Sequence, residues 1–381
     1  MENYIYADCA ATTPVRKEVL EAMLPYFCDS FANPSGLYDI AFSNKLQLEN
    51  VRECIAKSLN CKKNEIYFVS GGTEADNWAL RIGADYGFGK PHIITTKIEH
   101  HAILNVCDYL ERKGYVEVTK LDVDTNGIVD LDMLRESIKE NTTLISIMAA
   151  NNEIGTIQPL SEIGKIAAER NIIFHTDAVQ AYGHMHIPVS EYGISILSAS
   201  AHKFNGPKGI GFIYISDSVD KKPLLFGGGQ EAGLRAGTEN VPAIIGMGEA
   251  VRFSYDKIDS RHDSIEAVRN HIISRIQKEI ECSYLNGSME NRLANNINFS
   301  FDGIKSSKLI TILNKNGIYA SSGSACNSKS ILPSHVLKAI GRSDELALGS
   351  LRLTIDERVS IEDANRIVDV LTEAVDTLRY M

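Results

Sequence analysis

The chain has 381 residues, 44% of them hydrophobic, and its 39 Lys and Arg against 49 Asp and Glu give a formal net charge of −10. This length and apolar content can bury a large core and form more than one domain. The acidic balance argues against a broad surface for nucleic acid or anionic membrane, because such surfaces need clustered Lys and Arg. We therefore expect small metabolites and protein partners, and no direct nucleic-acid partner.

Neither a targeting segment nor a metal framework is evident. Met1-Glu2-Asn3-Tyr4 is polar and acidic where a secretory signal carries positive charge, and no apolar run approaches membrane-spanning length. The seven cysteines are scattered, odd in number and never spaced as Cys-x-x-Cys, which predicts neither a disulfide framework nor a zinc site. We expect a cytoplasmic protein with no membrane partner and no metal.

The first predicted element is a helix near the N-terminus. Thr13 followed by Pro14 is typical of an N-cap and first helical residue, and Val15, Val19 and Met23 recur at helical spacing. This pattern predicts a helix that extends through roughly Phe27.

From there to about residue 215 the chain alternates between short β-rich runs and mostly helical patterns. Such alternation predicts a predominantly parallel α/β sheet. The β-rich runs are residues 66–69, 92–95, 116–118, 144–148, 172–174 and 210–214.

The pattern changes in the C-terminal third. A glycine-rich stretch at residues 227–231 precedes a long helical region, about residues 241–281, that we expect to bridge two lobes. Strand-like runs at 296–301 and 350–355 and a helix around Leu309 then resemble an α+β domain. We expect a large domain at 15–255 and a small domain at 1–14 and 256–381, the latter carrying a loop at about 321–333.

The most informative motif is Ser200-Ala201-His202-Lys203, which follows an apolar run and precedes Asn205-Gly206-Pro207-Lys208-Gly209. A lysine at a strand end, beside small hydroxyl and imidazole groups, is well placed to hold an aldehyde cofactor as a Schiff base. The alternative is an ordinary solvated loop lysine. Asp177, which ends an earlier strand, would keep a pyridine nitrogen protonated, and this pairing suggests pyridoxal phosphate. Alone, Asp177 could equally be a helix N-cap.

A second motif, Ser70-Gly71-Gly72-Thr73-Glu74, lies between a strand end and a helical run. Its glycines can bring backbone N–H groups close to an anion, and a helix N-terminus favours phosphate. The alternative is an ordinary turn with Thr73 as the N-cap. Ser200 and His202 provide further phosphate donors.

Three more side chains follow strand ends. His100 could stack on the cofactor ring and exchange protons with the substrate, or it could be a polar residue at a helix start. Asn152 could hold the phenolic oxygen or the substrate carboxylate, or belong to a simple turn. Gln180 would bond the phenolic oxygen.

Cys326 lies in a loop of small residues, Ser321-Ser322-Gly323-Ser324-Ala325-Cys326-Asn327-Ser328. A thiol there is expected to be exposed and mobile, whereas a structural cysteine usually has apolar neighbours. The alternative is an incidental surface thiol. Arg352, on the last predicted strand, could form a bidentate pair with a carboxylate, although a lone arginine means little.

Taken together, these motifs resemble the cysteine desulfurases, which are class V aminotransferase-like enzymes of fold type I. The match extends over almost the whole chain in the family's order. It rests on Ala10-Ala11-Thr12-Thr13-Pro14, Ser70-Gly71-Gly72-Thr73-Glu74, Glu99-His100, Asn151-Asn152-Glu153-Ile154-Gly155, Asp177-Ala178-Val179-Gln180, Ser200-Ala201-His202-Lys203, Arg235-Ala236-Gly237-Thr238-Glu239-Asn240 and Gly323-Ser324-Ala325-Cys326.

The resemblance implies a fold type I enzyme with a large, mostly parallel-sheet domain and a smaller α+β domain, and a homodimer in which Thr238 of one subunit reaches the cofactor phosphate of the other. It implies catalytic roles for Lys203, Cys326 and His100, and substrate binding by Asn152 and Arg352. The cofactor-binding residues that it implies are Gly72, Thr73, His100, Asn152, Asp177, Gln180, Ser200, His202, Lys203 and Thr238.

The implied reaction removes sulfur from L-cysteine, giving L-alanine and a Cys326 persulfide that passes to an acceptor protein for iron–sulfur cluster assembly or thiolation. Lys203, with His100 assisting, would remove the α-proton. The chain departs from the family's usual residues at Cys9, at Gly36-Leu37-Tyr38 and at Ala232. These departures concern substrate access or loop docking more than the chemistry.

Other functions remain open at this point. An aminotransferase or a selenocysteine lyase could share most cofactor residues, but an aminotransferase has no need of a thiol on a small-residue loop. A non-catalytic scaffold for sulfur-transfer proteins would tend to lose the lysine or the cysteine. The sulfur acceptor itself could be an iron–sulfur scaffold, a tRNA-modifying enzyme, a DNA phosphorothioation system or a nitrogenase maturation factor.

Overall fold

The computed structural model describes residues 4–87, 89–256, 258–322 and 332–380. The strands in these ranges are β1 (Ile5–Tyr6), β2 (Ile66–Val69), β3 (His92–Thr96), β4 (Glu117–Leu121), β5 (Thr142–Ser146), β6 (Ile173–Asp177), β7 (Ile196–Ser200), β8 (Gly211–Ile215), β9 (Ser283–Leu285), β10 (Asn296–Phe301), β11 (Ile318–Tyr319) and β12 (Ser350–Thr354).

The α-helices in the same ranges are α1 (Lys17–Met23), α2 (Pro25–Cys28), α3 (Asp39–Leu59), α4 (Gly72–Ala84), α5 (His101–Arg112), α6 (Leu131–Ser137), α7 (Leu160–Glu169), α8 (Val241–Asp256), α9 (Ile258–Glu279), α10 (Ser306–Lys315), α11 (His335–Ala339), α12 (Asp344–Leu348) and α13 (Ile361–Arg379). Short 3₁₀ turns occur at Lys63–Glu65, Ala201–Lys203 and Gln230–Gly233.

The central sheet has seven strands among the described residues, in the order β2-β8-β7-β6-β5-β3-β4. Its strands are parallel except that β8 runs antiparallel to both β2 and β7. Strands β6, β7 and β8 are buried along their whole length, as expected for a sheet covered by helices on both faces. The prediction of a predominantly parallel α/β sheet is confirmed.

The strand order determines which chain segments meet at one edge. Strands β6 and β7 are parallel neighbours, with Asp177 in register with Ser198. Because parallel strands point the same way, Asp177 at the end of β6 and the Ala201–Lys203 turn after β7 lie at the same edge of the sheet. Two groups more than twenty residues apart in sequence are thereby brought together.

A second structural unit contains the antiparallel sheet β12-β10-β9, with β1 paired to β11 nearby. Its apolar core combines Ile5 and Ala7 with buried residues between 265 and 375. The α+β character predicted for this part of the chain is therefore observed, whereas the predicted domain boundary near residue 255 stays a prediction. Within the described ranges, no helix is both long and apolar enough to cross a membrane.

The first element prediction is wrong in detail. The first helix begins at Lys17 rather than at Pro14, because Thr13 is held elsewhere: its hydroxyl donates to the His202 carbonyl at 2.9 Å and accepts from the Asn205 N–H at 2.8 Å. The long helical region predicted for residues 241–281 is confirmed over Val241–Asp256 and Ile258–Glu279, which are helical throughout.

A glycine on α7 offers a test of the packing. A Cβ added at Gly164 would lie 1.8 Å from the backbone oxygen of Tyr192. We expect Gly164→Ala to lower the free energy of unfolding by about 3 kcal/mol, the upper part of the usual range for overpacking. Gly229→Ala is the control, because nothing lies within 4 Å of its Cβ and its φ is −83°. Denaturant titration that finds the two variants equally stable would contradict this packing.

Candidate active site

A cavity of about 410 Å³ opens at the carboxyl edge of the central sheet. It gathers residues from the N-terminal segment, from the ends of five strands (β2, β3, β5, β6 and β7) and from β12, which lie far apart in sequence. Its lining residues are Ala10, Ala11, Gly72, Thr73, Asp76, His100, Met148, Ala150, Asn152, Asp177, Val179, Gln180, Ser200, His202, Lys203 and Arg352. Every predicted site residue except Thr238 and Cys326 is in this set.

Lys203 reaches the cavity from the turn that follows β7. Its Nζ donates hydrogen bonds to the backbone oxygens of Ala10, at 2.5 Å, and Ala11, at 3.0 Å. Gln180 Nε2 donates to the same Ala10 oxygen at 3.0 Å. The amine is therefore held by a neighbouring segment and faces the cavity, so the alternative of a solvated loop lysine is wrong.

Asp177 is the buried acid of the cavity, with 5% of its surface exposed. Its Oδ1 accepts from the Val179 N–H at 2.9 Å, which stabilises the turn after β6. Burial raises the pKa of Asp177, while His100 and Lys203 act in the opposite direction. A cation placed against this carboxyl would restore its ionised form, as a protonated pyridine nitrogen does.

His100 is the N-cap residue of α5 and lines the cavity. Its Nδ1 accepts from the Ala102 N–H at 3.1 Å, so the proton of the neutral ring lies on Nε2. Burial lowers the pKa of His100, Lys203 acts in the same direction, and Asp177 opposes them. The ring is accordingly neutral near pH 7 and offers an N–H donor. Both the helix-start position and the cavity position anticipated for it are observed together.

The glycine turn after β2 forms a cradle at the N-terminus of α4. Gly71 has φ +155° and precedes Gly72, the first residue of the helix. A Cβ added at Gly72 would lie 2.5 Å from Val179 Cγ2, so only glycine fits there. Thr73 lies inside the first turn and Gly71 is the N-cap residue, so the alternative with Thr73 as N-cap is wrong.

Two further polar side chains adjoin this cradle. Ser200 ends β7 and is buried, and His202 follows it in the turn. His202 Nδ1 and the Thr12 hydroxyl are hydrogen bonded at 3.1 Å. Burial, reinforced by Lys203, lowers the pKa of His202 to about 4, so its ring is a neutral donor or acceptor at physiological pH.

The donor set of the cavity fits pyridoxal phosphate. The N-terminus of α4, together with hydroxyl and imidazole groups, suits the phosphate. The buried carboxyl of Asp177 suits a pyridine nitrogen, and the amine of Lys203 suits an aldehyde. Each group has the chemistry that its part of the cofactor requires.

Arg352, on β12 of the C-terminal unit, meets Asn152, which follows β5 of the central sheet, at the cavity wall. The Arg352 Nη1 donates to the Asn152 backbone oxygen at 2.9 Å, and Nη2 donates to Asp8 Oδ1 at 2.8 Å. The Arg352 Nε is buried without a hydrogen-bond partner among the described residues. A buried N–H without an acceptor is unfavourable, and a substrate carboxylate could accept from it.

The two remaining predicted residues are not in this cavity. Thr238 lines a separate cavity of about 270 Å³, together with Ser70, Gly209 and Arg235. Cys326 lies outside the described residues, as does most of the predicted loop at about 321–333. The structure therefore does not test the position of either the thiol or its loop.

The described cysteines do not supply a reactive thiol to the cavity, since none of them lines it. Burial raises the pKa of Cys9, Cys54, Cys61 and Cys107. A raised pKa makes the nucleophilic thiolate rarer. Cys9, one of the departures from the family's usual residues, is thus a buried thiol that contacts Asp356 at 3.5 Å.

Sequence reasoning missed Asp76 and the backbone oxygens of Ala10 and Ala11. Asp76 is 1% exposed and follows Gly72 by one helical turn on α4. That spacing places both residues on one face of the helix and could have identified Asp76. The alanine oxygens carry no side-chain signal, because their contact with Lys203 depends on how the N-terminal segment crosses the sheet edge.

Comparison with known proteins agrees with this geometry. Residues 5–367 match the model of the family described as aminotransferase class-V. The chain is 50% identical to "Cysteine desulfurase IscS" of Methanosarcina thermophila, over 99% of this chain and 93% of that protein.

Two solved structures are also similar. A "NIFS-LIKE PROTEIN" superposes with a TM-score of 0.91 and 34% identity, covering 100% of both chains. A structure described as "SspA in complex with cysteine" has a TM-score of 0.81 and 38% identity, covering 92% of this chain and 98% of that one. On the family match and these likenesses, the chain belongs to the class-V aminotransferase family.

Proposed function

We propose that the protein is a pyridoxal phosphate-dependent cysteine desulfurase, which converts L-cysteine to L-alanine and leaves the sulfur as a persulfide on Cys326. The observation that carries this proposal is the meeting of Lys203, Asp177 and the glycine cradle in one cavity. The similar proteins named cysteine desulfurase support the choice of reaction.

The cofactor would be held by three parts of the chain. The backbone N–H groups at Gly72 and Thr73, with Ser200 and His202, would bind the phosphate. Asp177 would contact the ring nitrogen, and Lys203 would hold the aldehyde carbon covalently. When bound, the cofactor withdraws electrons from the α-carbon of the substrate.

The chain itself moves the protons. Once the substrate amine has displaced it, Lys203 Nζ would take the α-proton, since Lys203 and His100 both line the cavity. The proton on His100 Nε2 could pass to the substrate or to the departing sulfur. Both groups lie in a half-enclosed cavity, where water competes less for the protons.

Sulfur transfer requires a thiol that the described part of the cavity does not contain. Cys326 would attack the substrate sulfur, so that the carbon–sulfur bond breaks while the sulfur–sulfur bond forms. The sum is cysteine plus the Cys326 thiol giving alanine plus the Cys326 persulfide, which balances without an external oxidant or reductant. A free thiol has a pKa of about 8.5, so the thiolate must be generated locally.

The substrate carboxylate would bind Arg352 and Asn152. We expect Arg352→Lys to raise the KM for cysteine by about tenfold to about a hundredfold, because Lys keeps the charge but not the planar fork. Cofactor affinity should stay within about twofold. Arg135→Lys is the control, since Arg135 is 49% exposed on α6. An unchanged KM in Arg352→Lys, measured by steady-state alanine release, would contradict this role.

A homodimer would complete the site. Thr238 lines a different cavity from Lys203, as expected if it serves the cofactor phosphate of a second subunit. Exposed apolar side chains follow one another along residues 20–46, where a partner could cover them. These side chains are Leu20, Leu24, Phe27, Phe31, Leu37, Tyr38, Phe42 and Leu46.

The persulfide sulfur would pass to an acceptor protein for iron–sulfur cluster assembly or for thiolation, including tRNA thiolation, in the cytoplasm. The test is to incubate the protein with ³⁵S-cysteine and candidate acceptors and to follow the label. If the label stayed on the enzyme in the presence of every acceptor tested, a role in sulfur transfer would be contradicted.

The product distinguishes this reaction from transamination. With cysteine and a thiol reductant, we expect equal amounts of alanine and sulfide and no pyruvate. Formation of a keto acid that depends on an added amino acceptor would instead identify an aminotransferase. The measurement is amino-acid analysis together with sulfide and keto-acid assays on one reaction.

A further inference from the structure

The side chain of Glu153 is a buried carboxylic acid that has no role in the reaction described above. It lies in the turn after β5 and is 4% exposed. The Asn151 Oδ1 holds this turn by accepting from the N–H groups of Glu153, at 2.8 Å, and Ile154, at 3.0 Å. Burial raises the pKa of Glu153, and Ser334 is the first group that opposes this rise. A buried acid is costly unless it is hydrogen bonded.

The partner of this acid is Ser334. Its Oγ donates to Glu153 Oε2 at 2.6 Å. The same oxygen accepts from the N–H groups of Val336, at 3.1 Å, and Leu337, at 3.3 Å, as the N-cap of α11. A hydroxyl has one proton to give and two lone pairs to accept with, so Ser334 uses its full bonding capacity here.

Helix α11 is itself attached to the cavity wall. Val336 and Leu337 are buried in one apolar cluster with Met148, which lines the cavity. His335 Nε2 is hydrogen bonded to the Glu99 backbone oxygen at 3.0 Å, and its ring stacks on His101 with centroids 4.7 Å apart. The start of α11 is therefore fixed against the segment that carries His100.

The chain is also hydrogen bonded to β12 just before the sequence that contains Cys326. Ser321 and Arg352 exchange two backbone hydrogen bonds, of 2.6 Å and 3.2 Å. The Ser350 hydroxyl lies within hydrogen-bond distance of two backbone oxygens, that of Ala347 at 2.9 Å and that of Ser322 at 3.2 Å. Cys326 lies between these attachments in sequence, eight residues before Ser334.

We propose that Glu153 and Ser334 are positioning residues, whose hydrogen bond fixes Ser334 and the start of α11 at the cavity wall, close to where the described chain resumes after Cys326. The inference rests on the proposed function of this site. Neither residue needs to touch the reacting atoms. The expected effect on rate is large, because a misplacement of about 1 Å can cost about a hundredfold when two groups must meet in a defined geometry.

The test uses Ser334→Ala in the full-length protein loaded with cofactor. We expect kcat for alanine formation to fall by about tenfold to about a hundredfold, the loss that follows from one buried hydrogen bond left unmade. The KM for cysteine and the visible spectrum of the bound cofactor should stay within about twofold, because the Lys203 side of the cavity is untouched. Ser334→Thr keeps the hydroxyl and should restore kcat.

Ser343→Ala is the matched control, because Ser343 caps α12 by accepting from the Leu346 N–H at 3.2 Å. It removes a helix cap without touching Glu153, so its kcat should equal that of the wild type. Ser334→Asp provides a second variant if Ser334→Ala folds poorly, since Asp caps the helix but gives Glu153 no proton when ionised. Its kcat should also fall.

Two outcomes would overturn the inference alone: an unchanged kcat in the folded Ser334 variants, or an equal loss in Ser343→Ala. Wild-type protein that releases no alanine from cysteine would overturn the proposed function, and the inference with it. The wild-type reaction is therefore measured first.

Discussion

Lys203→Ala should lower alanine formation from cysteine by at least about a thousandfold, because the amine serves both as the covalent holder of the cofactor and as the proton acceptor. The Lys203 Nζ is the cavity amine held by the Ala10 and Ala11 oxygens. The measurement is steady-state alanine release, with the visible spectrum recorded on the same samples.

Lys208→Ala is the matched control for this experiment. Lys208 is an exposed lysine on the same loop, five residues further along, and it does not line the cavity. Its replacement should leave turnover near the wild-type value. Added methylamine should partly restore Lys203→Ala, because a free amine can enter the space left by the side chain. A fully active Lys203→Ala protein would remove the basis for a covalently held aldehyde.

Cys326→Ala should keep the cofactor spectrum and the spectral response to cysteine, yet lose alanine and persulfide formation by at least about a thousandfold. The reason is that none of the described cysteines lines the cavity, so no other described thiol is placed to take the sulfur. The measurement is alanine release together with a persulfide assay on the protein.

The controls for Cys326→Ala are Cys28→Ala and Cys282→Ala, which remove exposed thiols. Both should retain full activity. Undiminished alanine formation by Cys326→Ala, or a persulfide found on Cys282 instead, would contradict the assigned role of Cys326.

The strands could be predicted well where their sequence signal is local. The runs at 66–69 and 296–301 match β2 and β10 residue for residue. The first is a continuous β-branched and aromatic run, and the second alternates polar and apolar residues, and either pattern indicates a strand locally. The first helix could not be placed correctly. Thr13 and Pro14 look like a helix start, but Thr13 bonds to the lysine turn almost two hundred residues away.

The site was largely predictable because its side chains follow strand ends. Asp177, Lys203 and Ser200 come from parallel neighbours, so a single assumption about the sheet brings them to one edge. The role of the N-terminal segment was not predictable, since Ala10 and Ala11 act through backbone oxygens. Thr238 lies in a separate cavity, which no pattern within one chain would reveal.

Reduction with borohydride followed by peptide mapping addresses the identity of the covalent holder most directly. Borohydride fixes the bond between the cofactor and its amine, and mass spectrometry of the digest then locates the added mass. We expect the label on Lys203 alone, at one cofactor per chain. Label on another lysine, or no label in protein that still forms alanine from cysteine, would show that the cavity around Lys203 and Asp177 is not where the chemistry occurs.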